Sequence, residues 1–369
     1  MSFSQIVEQY KEFPFPDFFA QVTDEEIERI VAKDSIQPMD FLALLSPKAA
    51  EHLELIAHKA QRLTVQYFGK TIQLFTPLYI SNFCSNQCIY CGFNKTNHIV
   101  RRKLSIQEIE KEAQSIAATG LQHLLLLTGE SKHATPMDYL VEAVTCLKKY
   151  FASVSIEIFP MDVDEYRQLK QAGVDGLTIF QETYDQAIYA EVHLAGKKRD
   201  YHFRLDGPER GAKAGFRSVN IGALLGLGEK RSEFFFTGLH AAYLDENYLD
   251  TEISVSLPRF NEAECDFTPK YPVNDKTFVQ FLLALRLFQP RAGITVSTRE
   301  NQLMRDNLIQ LGATRLSAGV CTSVGGYTQN EETDTPQFEI TDTRSVCQVA
   351  DAIAAHGYQP VYKDWDASL

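Results

Sequence analysis

Cys84-Ser85-Asn86-Gln87-Cys88-Ile89-Tyr90-Cys91 sets three thiols at C-x3-C-x2-C spacing on one short segment. Thiolates so spaced can take three corners of an iron–sulfur cube. A cube has four irons, so one is left without a protein ligand, and an open coordination position is where a substrate or cofactor binds a metal. Short cysteine spacings also serve zinc, which would need a fourth ligand, and His98 is the only nearby candidate. The other cysteines, Cys146, Cys265, Cys321 and Cys347, form no C-x2-C pair, and Cys146 falls in an amphipathic pattern as a core residue. Seven cysteines, three of them crowded together, do not make a disulfide scaffold; they suit a metal site in a reducing compartment.

The segment follows an apolar strand pattern, and from Thr71 onward such patterns alternate with amphipathic ones. Strands are expected at 72–79, 123–127, 154–158, 176–180, 219–223, 253–257, 294–297 and 315–318. Helices are expected between them at 105–118, 137–150, 163–172, 201–214, 232–245, 274–287 and 301–311. Ser105 with Glu108 makes a capping box for the first of these, and Gly120 ends it. Strands each trailed by a helix imply a parallel sheet, because parallel strands need crossovers. The fold class is α/β, and a closed (βα)8 barrel is the commonest solution at this length, with a doubly wound open sheet as the alternative. In a barrel, chemistry belongs where strands end and loops begin, and the cysteine segment lies there.

Residues 1–70 read as an N-terminal helical extension, 71–325 as the barrel and 326–369 as a C-terminal segment packed on it. Thr23 with Glu26 caps one early helix. A longer one is expected from 46 to 69, with Ser46 as cap, Pro47 in the first turn and Gly69 as stop. Its stripe of Leu53, Ile56, Ala60, Leu63 and Tyr67 suggests a lid or brace. The acidic stretch 330–342 reads as a surface loop before a last helix at 343–355.

The chain has 369 residues with 48 acidic against 36 basic, a net charge of −12, which argues against a nucleic-acid partner. No apolar run is long enough to span a bilayer, and the start, Met1-Ser2-Phe3-Ser4-Gln5, lacks the basic and apolar regions of an export signal. A cytoplasmic location is expected.

The cysteine loop resembles the signature of radical S-adenosylmethionine enzymes, with Tyr90 as its aromatic residue. Further segments carry the resemblance along nearly the whole chain: Pro77-Leu78-Tyr79-Ile80-Ser81-Asn82, Cys91-Gly92-Phe93-Asn94, Leu127-Thr128-Gly129-Glu130, Gln181-Glu182-Thr183-Tyr184, Gly196-Lys197-Lys198, Arg204-Leu205-Asp206, Ser297-Thr298-Arg299-Glu300, Gly325-Gly326-Tyr327 and Lys363-Asp364-Trp365-Asp366. Together they are similar to the 2-iminoacetate synthase (tyrosine lyase) family of thiamine biosynthesis.

That resemblance implies a [4Fe-4S] cluster on Cys84, Cys88 and Cys91 and S-adenosylmethionine as cofactors. It places Tyr90, Gly129, Glu130, Glu182 and Arg204 around S-adenosylmethionine: Gly129-Glu130 at its amino group, Glu182 at the ribose hydroxyls and Arg204 at the methionine carboxylate. Arg299 would hold the carboxylate of L-tyrosine, since a bidentate guanidinium pairs a buried carboxylate with fixed orientation. Ser317 could contact the amino group. Each has a blander reading: a strand-end turn for Gly129-Glu130, a solvated helix residue for Arg204, an ion pair with Glu300 or Asp306 for Arg299, and a packed small residue for Ser317. Implied partners are an electron donor such as flavodoxin or ferredoxin, and thiazole synthase. Relatives that act on tryptophan, or on a tyrosine adduct in deazaflavin synthesis, share the cysteine loop. A related tyrosine lyase of hydrogenase maturation adds a C-terminal cluster, for which nothing after Gly326 offers ligands, Cys347 being alone.

Overall fold

Each apolar run from Thr71 onward becomes a strand because both of its faces are buried, one in the barrel and one under helices. The computed structural model describes residues 2–261, 267–328 and 336–363. Its strands are β1 (Thr71–Ser81), β2 (His123–Thr128), β3 (Ser153–Glu157), β4 (Gly176–Glu182), β5 (Ser218–Ala223), β6 (Glu252–Ser256), β7 (Gly293–Val296), β8 (Arg315–Ser317) and β9 (Gln359–Val361). β1 to β8 pair in chain order, all parallel, and β1 pairs with both β8 and β2, which closes the barrel. The open-sheet alternative is excluded.

β9 was not expected. It follows the last helix, Val346–Ala355, and pairs in parallel with the start of β1, Thr71 to Gln73, below the point where β2 takes over. Three residues with a proline at their centre give no strand period to read.

Two helix expectations change. The pattern at 201–214 divides into Tyr201–Leu205 and Gly207–Ala214. Pro208 supplies no N–H, and its ring would clash with the carbonyl of Arg204 four residues back. The long N-terminal helix starts at Leu53, after a 3-10 turn at Ala49–Glu51. Gln280 Nε2 donates to the carbonyls of Leu44 (2.8 Å) and Ser46 (2.7 Å), which holds that stretch in a turn. The box at Ser105 and Glu108 forms as read, whereas at Thr23 only half of the expected capping box is present, Glu26 N donating to Thr23 Oγ1. Of the acidic stretch, 330–335 lies outside the described residues, as do Cys265 and Asp364-Trp365-Asp366.

The early helices brace the barrel's flank and do not cover its mouth. Phe41 stacks on Phe288 (centroids 4.6 Å apart) and Phe3 on His240 (4.0 Å), both partners lying on the outer helices Asp275–Phe288 and Lys230–Asn247. This explains why Phe234, Phe235 and Phe236 are all buried on successive faces of one helix. No described residue before Phe75 lines the central cavity.

Candidate active site

The strands end around a central cavity to which all eight barrel strands contribute side chains. Cys91, Tyr90, Glu182, Lys198, Arg299 and Ser317 all face it. Beside it, Glu130 and Arg204 line an adjoining groove with Ser85 and Lys198. Of the expected site residues, Glu130, Glu182, Arg299 and Ser317 at the ends of β2, β4, β7 and β8, Tyr90 and Cys91 of the cysteine loop, and Arg204 on a short helix line this cavity or the adjoining groove.

The cysteine loop is built by its backbone. Cys88 bridges antiparallel to His193, and Gln87 N donates to Ala195 O at 2.9 Å while Leu194 N returns to Gln87 O at 2.9 Å. Arg101, which sequence reading missed, donates to the carbonyls of Asn82 (2.7 Å), Phe93 (2.9 Å) and Asn94 (2.6 Å) and so ties both ends of the loop together. Two glycines let the neighbouring chain approach. A Cβ on Gly129 would stand 2.4 Å from Phe83 O, and one on Gly196 would stand 2.7 Å from Asn86 Cα. Gly129 thus has a packing reason to be glycine, alongside any contact with a cofactor. Tyr90 donates its hydroxyl to His193 Nε2 at 2.8 Å, the imidazole Nδ1 being spent on Tyr189 O.

All three thiols are free of disulfides. Burial pushes each of them up, Cys91 to about 11, so their thiolates call for a compensating positive charge. Among the described residues no three His, Cys, Asp or Glu side chains are gathered as a single metal ion requires, and His98 is exposed. Among those residues the zinc reading finds no fourth ligand. Separate thiols suit a cube, which takes one thiolate per iron.

Next to the thiols lies a charge-balanced cluster of two acids and two bases. Arg204 donates from Nε to Phe180 O (2.6 Å), from Nη1 to Glu130 (2.7 Å) and from Nη2 to Glu182 (3.3 Å). Lys198 Nζ bonds Glu182 at 2.7 Å, and Asn86 Nδ2 bonds Glu130 at 2.7 Å. Burial alone would raise both carboxyls, but Arg204 and Lys198 hold them below the usual carboxylate range. Arg204 is thus a buried, fully bonded residue and not a solvated one. Glu182 is the only described non-glycine residue with positive φ, 72°, at a register shift between Phe180 and Glu182. That strained turn swings its carboxylate toward Lys198 and Arg204. Two carboxylates, a guanidinium and an ammonium offer partners for both ends of an amino acid and for vicinal hydroxyls. Asn86 and Lys198 had no assigned role in the sequence; Lys198 lay within a quoted motif without one.

Arg299 has neither of the ion pairs that would have made it structural. Glu300 is taken by Arg259 (Nε to Oε1, 2.8 Å) and Asp306 by Arg344 (2.9 Å). The Arg299 guanidinium stacks over Phe338, 3.5 Å from the ring centroid, and among the described residues it pairs with no carboxylate. Ser317 Oγ is buried and, among the described residues, has no hydrogen-bond partner, while its backbone carbonyl is held by Arg305. Over the cavity Tyr79 donates to Gln337 Oε1 at 2.7 Å, so the 336–338 stretch, and not the N-terminal helices, helps to cover the mouth.

Residues 78–237 match the model of the Radical SAM superfamily, and 256–359 match the Biotin and Thiamin Synthesis associated domain. Curated 2-iminoacetate synthases of Salmonella typhimurium and Escherichia coli are each 39% identical over 348 residues, 94% of this chain and 92% of theirs. The X-ray structure of the FeFe-hydrogenase maturase HydG from Carboxydothermus hydrogenoformans is similar with a TM-score of 0.89 at 29% identity, covering 98% of this chain and 85% of that one. No described helix is long and apolar enough to cross a membrane. With its thiols, acid–base cluster and arginine gathered at the mouth of such a barrel, the chain belongs to the radical S-adenosylmethionine superfamily and, within it, to the 2-iminoacetate synthase family.

Proposed function

We propose that the chain cleaves the Cα–Cβ bond of L-tyrosine, giving 2-iminoacetate (dehydroglycine) and p-cresol for the thiazole of thiamine. The observation that carries this reading is Arg299: a guanidinium stacked on Phe338 and, among the described residues, without a carboxylate partner, on the same cavity as Cys91 of the cysteine loop. Members of the family work with a [4Fe-4S] cluster and S-adenosylmethionine, which together supply a 5′-deoxyadenosyl radical that takes a hydrogen atom from the substrate.

Cys84, Cys88 and Cys91 would hold the cluster. Glu130 and Arg204 would take the amino and carboxylate groups of the methionine moiety, Glu182 the ribose hydroxyls, and Tyr90 would pack beside them. Occupancy then exchanges part of the Arg204 pairing for bonds to the ligand, and the group stays neutral overall. Arg299 fixes the tyrosine carboxylate, and the unpartnered Ser317 hydroxyl accepts from its amino group. Loss of hydrogen from that nitrogen weakens the Cα–Cβ bond, which breaks to dehydroglycine and a 4-hydroxybenzyl fragment that is then reduced. The apolar wall of Leu125, Leu127, Leu177 and Phe180 keeps water from both.

Dehydroglycine hydrolyses readily, so direct transfer to thiazole synthase is part of the proposal, as is an electron donor of the flavodoxin or ferredoxin type. Anaerobic reconstitution with L-tyrosine, S-adenosylmethionine and a reductant tests the reading. Deoxyadenosine with p-cresol supports it; deoxyadenosine without p-cresol refutes the substrate. Tryptophan in place of tyrosine should release far less deoxyadenosine.

A further inference from the structure

We propose that Glu157 binds the α-ammonium group of the substrate and accepts its proton, as the counterpart of Arg299 at the carboxylate. The proposal rests on the amino-acid substrate named above. Glu157 closes β3 with its side chain on the cavity. Among the described residues its carboxyl has no hydrogen bond and no ion pair; the basic groups nearby are otherwise engaged, Lys198 on Glu182 and Arg204 on Glu130 and Glu182. An unpartnered carboxyl inside a protein is costly unless a ligand completes it.

Arg299 is in the same condition with the opposite sign. The two groups do not touch, yet each feels the other's charge across the cavity. Both groups line the one cavity, so an α-amino acid bound there meets a cation and an acid together. Its carboxylate and ammonium are neighbours on one carbon, and each makes a charge-assisted hydrogen bond with the group of opposite sign. The phenol of tyrosine lies much further from the carboxylate and is neutral, so it answers to neither charge. Ser317, with its unpartnered hydroxyl, can share the ammonium, which has three hydrogens to give.

The position suits chemistry as well as binding. A substrate entering as ammonium must lose a proton before its nitrogen can give up a hydrogen atom. The N–H bond breaks with its electron pair left on nitrogen, the proton forms an O–H bond on Glu157, and the charges of ammonium and carboxylate cancel. No oxidant or reductant is needed. Burial first and Glu182 second push Glu157 up to about 7, while Arg299, Arg204 and Lys198 pull it down, so it can hold or release a proton near neutrality. Tyr79, which shares the cavity, is pushed well up by its own burial and does not compete as a base.

The test uses the anaerobic, cluster-loaded enzyme and three ligands: L-tyrosine, 3-(4-hydroxyphenyl)propanoate, which lacks the amino group, and L-phenylalanine, which lacks the hydroxyl. Affinities are measured by calorimetry for the native chain, Glu157→Gln and Glu157→Asp. The native preference for tyrosine over the propanoate should fall by roughly tenfold to a hundredfold in Glu157→Gln. Its preference for tyrosine over phenylalanine should not change, and Glu157→Asp should restore part of the first preference. Unchanged ratios in Glu157→Gln would remove Glu157 from the substrate, and collapse of the phenylalanine ratio instead would put it at the phenol; either overturns the proposal. Native enzyme that binds no tyrosine would refute the substrate reading itself, a separate result. Thermal melts of both variants identify a folding defect, and the intact Glu157→Asp carboxyl then decides the question through its own ratios.

Discussion

Arg204 Nη1 stands 2.7 Å from Glu130 Oε1, so one guanidinium on a short helix fastens the end of β2 while its Nη2 reaches Glu182 at the end of β4. The break before Pro208 makes this possible. It ends the helix one residue after Arg204, leaving that side chain in the last turn facing the barrel. Replacing Arg204 by alanine leaves two largely buried carboxylates with Lys198 as the one remaining cation of the cluster. The expected cost is about 3–5 kcal/mol of stability, together with loss of S-adenosylmethionine binding. Thermal unfolding and equilibrium binding check the two effects separately. A stable variant with native affinity would show that the cluster is neither structural nor a cofactor site.

Cys88 lies in a loop whose shape does not depend on its sulfur. Its backbone bridges to His193, and Arg101 ties the loop ends by their carbonyls. Cys88→Ser should therefore remove the broad visible absorption of the cluster and all deoxyadenosine release while leaving circular dichroism and melting of the barrel near native. Retained absorption after anaerobic reconstitution would mean that the ligands are misassigned.

The barrel was legible in the sequence because strands buried on both faces read as apolar runs and the helices between them carry caps. What the early helices pack against was not. An apolar stripe such as Ile56 and Ala60 shows that a face is buried but not which surface buries it, so lid and brace read alike. Site residues that end strands could be found by resemblance and position. Those that act through a distant partner could not: the capture of loop carbonyls by Arg101, the bond of Asn86 to Glu130 and the empty flank of Glu157 exist only once the strand ends meet. The break at Asp206-Gly207-Pro208 was there to be read, since proline inside a helical pattern ends it. The apolar period on either side concealed it.

Arg299→Ala should leave the cluster spectrum and S-adenosylmethionine affinity unchanged and weaken tyrosine binding by about 2–5 kcal/mol, because a buried carboxylate would lose its only guanidinium. Arg299→Lys should recover part of this and no more, since a point charge cannot offer two parallel donors. Titration of the anaerobic protein with tyrosine gives both numbers. An unaltered affinity in the alanine variant would take Arg299 out of the site and, with it, the observation on which the substrate rests.

Glu233 gives a pH signature away from the reacting groups. It accepts from Thr183 Oγ1 (2.6 Å), Tyr184 N (2.8 Å) and Asp185 N (3.2 Å), pinning the loop that follows Glu182. Burial outweighs those bonds, and the nearby Asp185 adds to it, pushing the carboxyl up from 4.5 to about 7. The folded chain then binds more protons than the unfolded one between those values. The stabilisation from this group is complete below pH 4.5 and is lost as pH rises through 7, on the order of 3 kcal/mol in all. Glu130 and Glu182, held low, act in the opposite sense and only at more acid pH. In Glu233→Gln, which cannot ionise, the melting temperature should decline less between pH 5 and 7.5 than in the native chain, roughly in proportion to the missing term. Glu157, raised in the same way, should keep some slope in that variant, and the double variant with Glu157→Gln should be flatter still. A Glu233→Gln slope identical to the native one would show that Glu233 stays ionised across the range, held by its three donors against burial.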